Sequence, residues 1–274
     1  MFNYCDYEQE EILIIKIGKT KGYFLYNQFS TIIKNNSTGK KFIDISKENI
    51  DNFDLSNCKE LECLICSSNS IHKLNSSLLP NSLIKLECSS NKITNLDNLP
   101  DSLKYLSCNF NCLTSLDNLP VGLKYLECAK NQLVRLDFLP DSLEFLNCSD
   151  NPLVKLDNLP ISLKKLYCFG CRLESISCLP NFLELLHCQY NNLTEIPNLP
   201  NSLEELCCND NKIKQIKYLS PIIKTLNCSC NQIELLPEIP HTIQYINCSY
   251  NKISNITKLD GVEIRCVGNN TLKN

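Results

Sequence analysis

The residues with chemistry in reach are nineteen cysteines and three histidines in a chain of 274 residues. Cysteine and histidine at close range could ligate zinc or form a nucleophile–base pair. Two C-x-x-C pairs occur, Cys63/Cys66 and Cys168/Cys171. His187 shares a twenty-residue column with Tyr167 and Cys207, so a Cys–His pair is conceivable there. His72 and His241 fall in turns and carry no signal. Gly18-Lys19-Thr20 has the form of the end of a phosphate-binding loop, but Leu13 stands where that motif needs its first glycine.

Periodicity decides what holds these residues. From residue 83 the sequence repeats every twenty residues: LPDSLKYLSCNFNCLTSLDN at 99–118 is followed by LPVGLKYLECAKNQLVRLDF at 119–138. One column runs from Cys88 through Cys108 and Cys128 to Cys248. A second holds Asn91, Asn111, Asn131, Asn151 and so on to Asn251, broken once by Cys171. A third holds a proline in nearly every coil. Units this small cannot bury an apolar face alone and must stack. The alternation Leu106-x-Cys108 predicts a short strand, and successive strands pair in parallel about 4.8 Å apart. The asparagine can satisfy backbone groups where the chain leaves the strand. The stretch Leu116–Pro120 leaves no room for a helix, and its proline favours an extended return path.

The unit L-x-x-L-x-C-x-x-N-x-L, as in Leu103, Leu106, Cys108, Asn111 and Leu113, resembles the leucine-rich repeat with cysteine at the third leucine. The resemblance covers about 42–274, or 11–12 coils, counting an early coil at Leu61–Ile71 and a shortened last one at Ile264–Asn269. Ile196-Pro197-Asn198-Leu199-Pro200 looks most like the short repeats of bacterial effector proteins and of some giant-virus proteins. Most other coils carry aspartate in place of the first proline. The resemblance implies a mostly β solenoid: a leucine-rich repeat horseshoe with a curved parallel sheet and an extended, non-helical convex side. Some bacterial relatives carry a separate ubiquitin-ligase domain after the repeats, and nothing after Cys266 matches one.

Residues 1–41 lack the repeat. Ile12–Ile17 and Tyr23–Tyr26 read as two strands of a hairpin that caps the first coil. Eleven cysteines occupy the core column, where cysteine acts as a small apolar group. Their expected spacing exceeds the ~3.8 Å of a disulfide's Cβ atoms, so a ladder of free thiols in a reducing, intracellular compartment is expected. The two C-x-x-C pairs stand roughly 24 Å apart at one strand spacing per coil and cannot share an ion. Cys207 and Cys230 fall outside the core columns and are expected to be the most reactive thiols. No metal, cofactor or catalytic residue is expected.

Several function classes are excluded by composition. Thirty acidic residues against twenty-seven basic ones give a net charge of −3, which speaks against nucleic-acid binding. No apolar run approaches the roughly 18 residues that cross a bilayer, and none forms a signal-peptide core. Asn147, Asn227 and Asn247 lie in N-x-S/T triplets that are expected to stay unmodified.

The face opposite the core is left for function. Tyr105, Tyr125, Phe145, Tyr167 and Phe169 form an oblique aromatic band there, flanked by Glu127, Lys165 and His187. Aromatic residues are enriched at interaction hot spots. The expectation is a non-enzymatic scaffold that binds a protein on its concave face, a host protein if the chain is viral or an effector. Cross-strand stacking that only stabilises the sheet is the competing account of the same residues. The alternative function is structural, a particle component or self-assembling rod, with self-association through an open sheet edge.

Overall fold

The structure is a computed structural model that describes residues 12–14, 41–74, 78–255 and 260–270. The chain divides into two compact units, Met1–Gln132 and Leu133–Asn274. In the first, six strands run in parallel in chain order: β1 (Ile12–Ile14), β2 (Phe42–Asp44), β3 (Cys63–Ile65), β4 (Lys85–Glu87), β5 (Tyr105–Ser107) and β6 (Tyr125–Glu127). In the second, parallel pairing joins β7 (Phe145–Asn147), β9 (Lys165–Tyr167), β11 (Leu185–His187), β12 (Glu205–Cys207), β13 (Thr225–Asn227), β14 (Tyr245–Asn247) and β15 (Glu263–Arg265). On the return side, β8 (Lys155–Leu156) pairs with β10 (Ser175–Ile176). No described residue lies in an α-helix, and no helix is long and apolar enough to cross a membrane.

The twenty-residue period is the register itself: Leu86 faces Leu106, which faces Leu126. Most coils bury the same set, for example Leu103, Leu106, Cys108, Leu113 and Leu116, and the last one, with Ile264 and Cys266 half-buried, does so less completely. Burying each leucine contributes about 1.5–3 kcal/mol. The expected early and late coils are both present, built on Cys63–Ile65 and Glu263–Arg265.

Between these leucines runs an asparagine ladder. Asn111 Nδ2 donates to Cys88 O and Cys108 O at 3.1 Å each, and its Oδ1 accepts from Ile93 N at 3.0 Å. Asn191 repeats this in the second unit, with Cys168 O at 2.9 Å, Cys188 O at 3.0 Å and Leu173 N at 3.0 Å. One amide thus satisfies buried backbone groups of two successive coils that would otherwise cost about 1–3 kcal/mol each. A second ladder comes from hydroxyls: Ser82 donates to Leu61 O at 2.7 Å and Ser102 to Leu83 O at 2.7 Å.

The prolines do more than hold an extended return path. Pro100 O and Pro120 O accept from Leu103 N and Leu123 N at 3.0 Å, so each proline opens a tight turn that delivers the chain into the next strand. The residue before the ladder position adopts a left-handed conformation, with φ of 54° at Phe110, 55° at Lys130 and, before Cys171, 63° at Gly170.

At the amino-terminal side, β1 bonds to β2 in parallel, Ile12 opposite Phe42. The second strand of the expected hairpin, Tyr23–Tyr26, and its turn lie outside the described residues.

Candidate partner-binding face

Alternation along each strand sends the middle residue into the core and its neighbours to the opposite face. Leu106 and Leu126 are fully buried, whereas Tyr105 and Tyr125 flank them on the outer side. Direct register brings those two tyrosines together: their ring centroids are 4.3 Å apart and their planes differ by 9°. Lys85 Nζ sits 4.8 Å from the centroid of the Tyr105 ring and pairs with Glu87 at 2.7 Å.

Glu127 is tied into this patch. Its carboxylate accepts from Tyr125 Oη at 2.7 Å, Ser107 Oγ at 2.9 Å and Asn109 Nδ2 at 2.9 Å. Burial first, with the Glu127 hydrogen bond next, raises the Tyr125 phenol above its ordinary range. Burial also raises Tyr105. Both phenols therefore stay neutral donors at physiological pH.

The second unit carries its own aromatic run. The Phe145 and Tyr167 rings lie 5.4 Å apart and tilted by 37°, and Tyr167 meets the His187 ring edge-on at 4.9 Å. His187 Nε2 lies 2.8 Å from Glu205 Oε1, and Cys207 Sγ lies 3.8 Å from the same oxygen. Phe169 is half-buried just past Cys168, and Lys165 is exposed.

The structure adds one detail and changes one expectation. The aromatic residues are not fully exposed: Tyr105, Tyr125, Phe145, Tyr167 and Phe169 are all half-buried, because rings in adjacent coils shield one another. They act as sheet-stabilising stacks while still presenting ring surface to solvent. Nor is Cys207 a reactive thiol. Burial, followed by the charge of Glu205, pushes it up to about 12, leaving little nucleophilic thiolate at neutral pH. Burial likewise raises Cys230. The exposed cysteine among the described residues is Cys178, on the return side, which its place in the repeat did not single out.

The C-x-x-C pairs are built into the packing. Cys63 and Cys66 are buried at 1% and 0% exposure, and Cys168 at 0%. Cys171, in the asparagine column, places Sγ 3.5 Å from Cys148 O and 3.6 Å from Phe169 O. In the core column, Cys108 Sγ points at Glu127 O, 3.3 Å away. Glu205 was not among the residues expected at the site. It reaches His187 only because register sets residue 205 beside residue 185, one pleat away.

No protein-family model and no curated protein matches the chain. Solved structures do match. YopM from Yersinia enterocolitica WA-314 is 30% identical with a TM-score of 0.79, over 84% of this chain and 52% of that one. YopM is a leucine-rich effector protein. The functional domain of InlJ from Listeria monocytogenes, which includes a cysteine ladder, is 27% identical with a TM-score of 0.62, over 86% of this chain and 50% of that one. The LRIM1/APL1C complex gives a TM-score of 0.76 at 18% identity, over 94% of this chain and 57% of the matched one, a likeness of fold alone. The chain therefore spans about half the length of the first solved structures it matches. These matches support the bacterial likeness and do not bear on the giant-virus one. In fold the chain is a mostly β leucine-rich repeat solenoid built on a twenty-residue unit, and it is similar to the leucine-rich repeat proteins of the bacterial effector type.

Proposed function

We propose that this protein is a non-enzymatic scaffold that binds a protein partner on the strand-lined face, the concave face of a leucine-rich repeat. The observation that carries the reading is the Tyr105–Tyr125 stack beside Lys85 and Glu127. Rings held rigid by stacking lose little entropy when a partner covers them, which suits them as anchors. Phe145, Tyr167 and Phe169, with Lys165 and His187, provide the same kind of surface in the second unit. A leucine-rich repeat fold is a protein-interaction platform, and one similar structure is of a complex. The proposal extends to an intracellular, reducing location, where the cysteine column stays as thiols, and to a host protein as partner.

The structural alternative is less favoured by β15. Its exposed Glu263 and Arg265 pair at 2.9 Å. Charged side chains on a terminal strand discourage strand-by-strand growth. Size measured against concentration separates the two readings, since a rod-former grows and a scaffold does not.

The test is affinity capture from eukaryotic lysate under reducing conditions, with wild type beside the Tyr125→Ser/Phe145→Ser variant. The expected result is a protein held by the wild type and lost by the variant, with both unfolding cooperatively. Identical captured sets from both forms would remove these residues from the site.

A further inference from the structure

Among the described residues, one group brings three side chains of metal-ligating type to a point: His187, Glu205 and Cys207, whose ligand atoms all lie within 4.8 Å of one another. We propose that these three residues form a zinc site on the strand face of the second unit. The placement is fixed by the sheet. His187 and Cys207 are register partners on β11 and β12, and Glu205 lies two residues before Cys207 on the same face. His187 Nε2 stands 2.8 Å from Glu205 Oε1, and Cys207 Sγ stands 3.8 Å from that oxygen. Around a tetrahedral zinc with bonds of about 2.0–2.3 Å, ligand atoms stand roughly 3.3–3.8 Å apart. To reach that spacing the imidazole and carboxylate part by about half an ångström, while the widest pair, within 4.8 Å, closes by about an ångström through side-chain rotation.

The donor set selects the class of cation. A thiolate and an imidazole favour zinc over magnesium or calcium, and the carboxylate brings negative charge. Binding releases the Cys207 proton to solvent as the zinc–sulfur bond forms. Tyr167, edge-on to His187 at 4.9 Å, restricts the imidazole's rotation. The side chains of His187 and Glu205 are 20% and 37% exposed, so a water can take the fourth position. Three protein ligands and an open fourth position set this site apart from closed structural zinc sites. The inference is independent of any partner.

The experiment uses the full chain, reduced with a phosphine and stripped of metal, titrated with cobalt(II) and then zinc. The expected result is one cobalt per chain with a thiolate-to-cobalt charge-transfer band, displaced by one equivalent of zinc. Cys207→Ser abolishes the band and Cys230→Ser keeps it. His187→Gln and Glu205→Gln weaken zinc binding by more than the roughly 10–100-fold that outer-sphere changes cost. Circular dichroism checks that each variant keeps the fold. No band in the wild type, a band that survives Cys207→Ser, or zinc affinity unmoved by His187→Gln overturns the site and leaves a His–Glu hydrogen bond beside a bystander thiol.

Discussion

At the scale of single residues, the protein is governed by what one side chain does for two coils. Each ladder asparagine closes three or more backbone bonds, and Asn231 is typical, with Cys208 O at 2.9 Å, Cys228 O at 3.2 Å and Ile213 N at 2.9 Å. Asn231→Ala is expected to cost about 2–4 kcal/mol in urea unfolding, since it leaves buried carbonyls and an amide unpaired. The converse change is Cys171→Asn. A thiol is a weak acceptor for the Leu153 amide that an asparagine there would bind, so this variant should gain about 1 kcal/mol. The thiols set the response to alkali. Burial holds Cys63 and Cys88 at about 12 against an ordinary 9.0, so the folded state keeps protons that the unfolded chain loses. Their contribution is complete below pH 9 and is lost as pH rises toward 12, by about 1.4 kcal/mol per thiol per pH unit. Unfolding of the reduced protein at stepped pH values should show stability falling across that window; a flat profile contradicts it. Alkylation near neutral pH should mark Cys178 before Cys207.

At the scale of elements, the strands and the core were legible because the period is also the register. Leu103, Leu106, Cys108 and Asn111 could be assigned from spacing alone, and each lies where the repeat places it. The coil at Cys63–Ile65 was legible despite its shifted register because its leucine and asparagine columns persist. Two features were hidden. The left-handed residue before the ladder position is variously serine, phenylalanine, lysine, aspartate, tyrosine or cysteine and only rarely glycine, so no residue type announces the turn. The pairing of His187 with Glu205 spans two columns, and a column-by-column reading does not look sideways. The half-burial of the aromatic residues was hidden for a related reason: a strand pattern shows which face a ring occupies but not how far the ring in the next coil covers it. The stacks therefore carry stability as well as surface. Tyr105→Ser should lower stability by about 1 kcal/mol beyond its lost burial, whereas Leu126→Ala in the core should cost about 2–5 kcal/mol.

At the scale of the molecule, a solenoid is a sum of similar coils with nearest-neighbour interfaces, so its length is adjustable. Removing residues 179–198, one whole repeat, joins Cys178 to Leu199 and restores the leucine, cysteine and asparagine columns without a shift. The shortened chain is expected to give the same β-rich circular dichroism and a cooperative transition at lower stability; an unfolded product would contradict the repeat account. Binding is the property that should not survive such trimming unchanged, because it depends on which side chains stand in adjacent coils. The most direct test of the scaffold reading takes the captured partner, purified, and measures its Kd for three forms of the protein. These are the wild type, Tyr125→Ser/Phe145→Ser on the strand face, and Val121→Ser/Ile161→Ser at two residues that are 82% and 72% exposed away from it. Loss of two aromatic anchors at about 2 kcal/mol or more each should weaken binding by roughly 700-fold or more, with the third form matching the wild type. Equal affinity in all three forms, or a loss confined to Val121 and Ile161, would contradict a partner seated on the strand face.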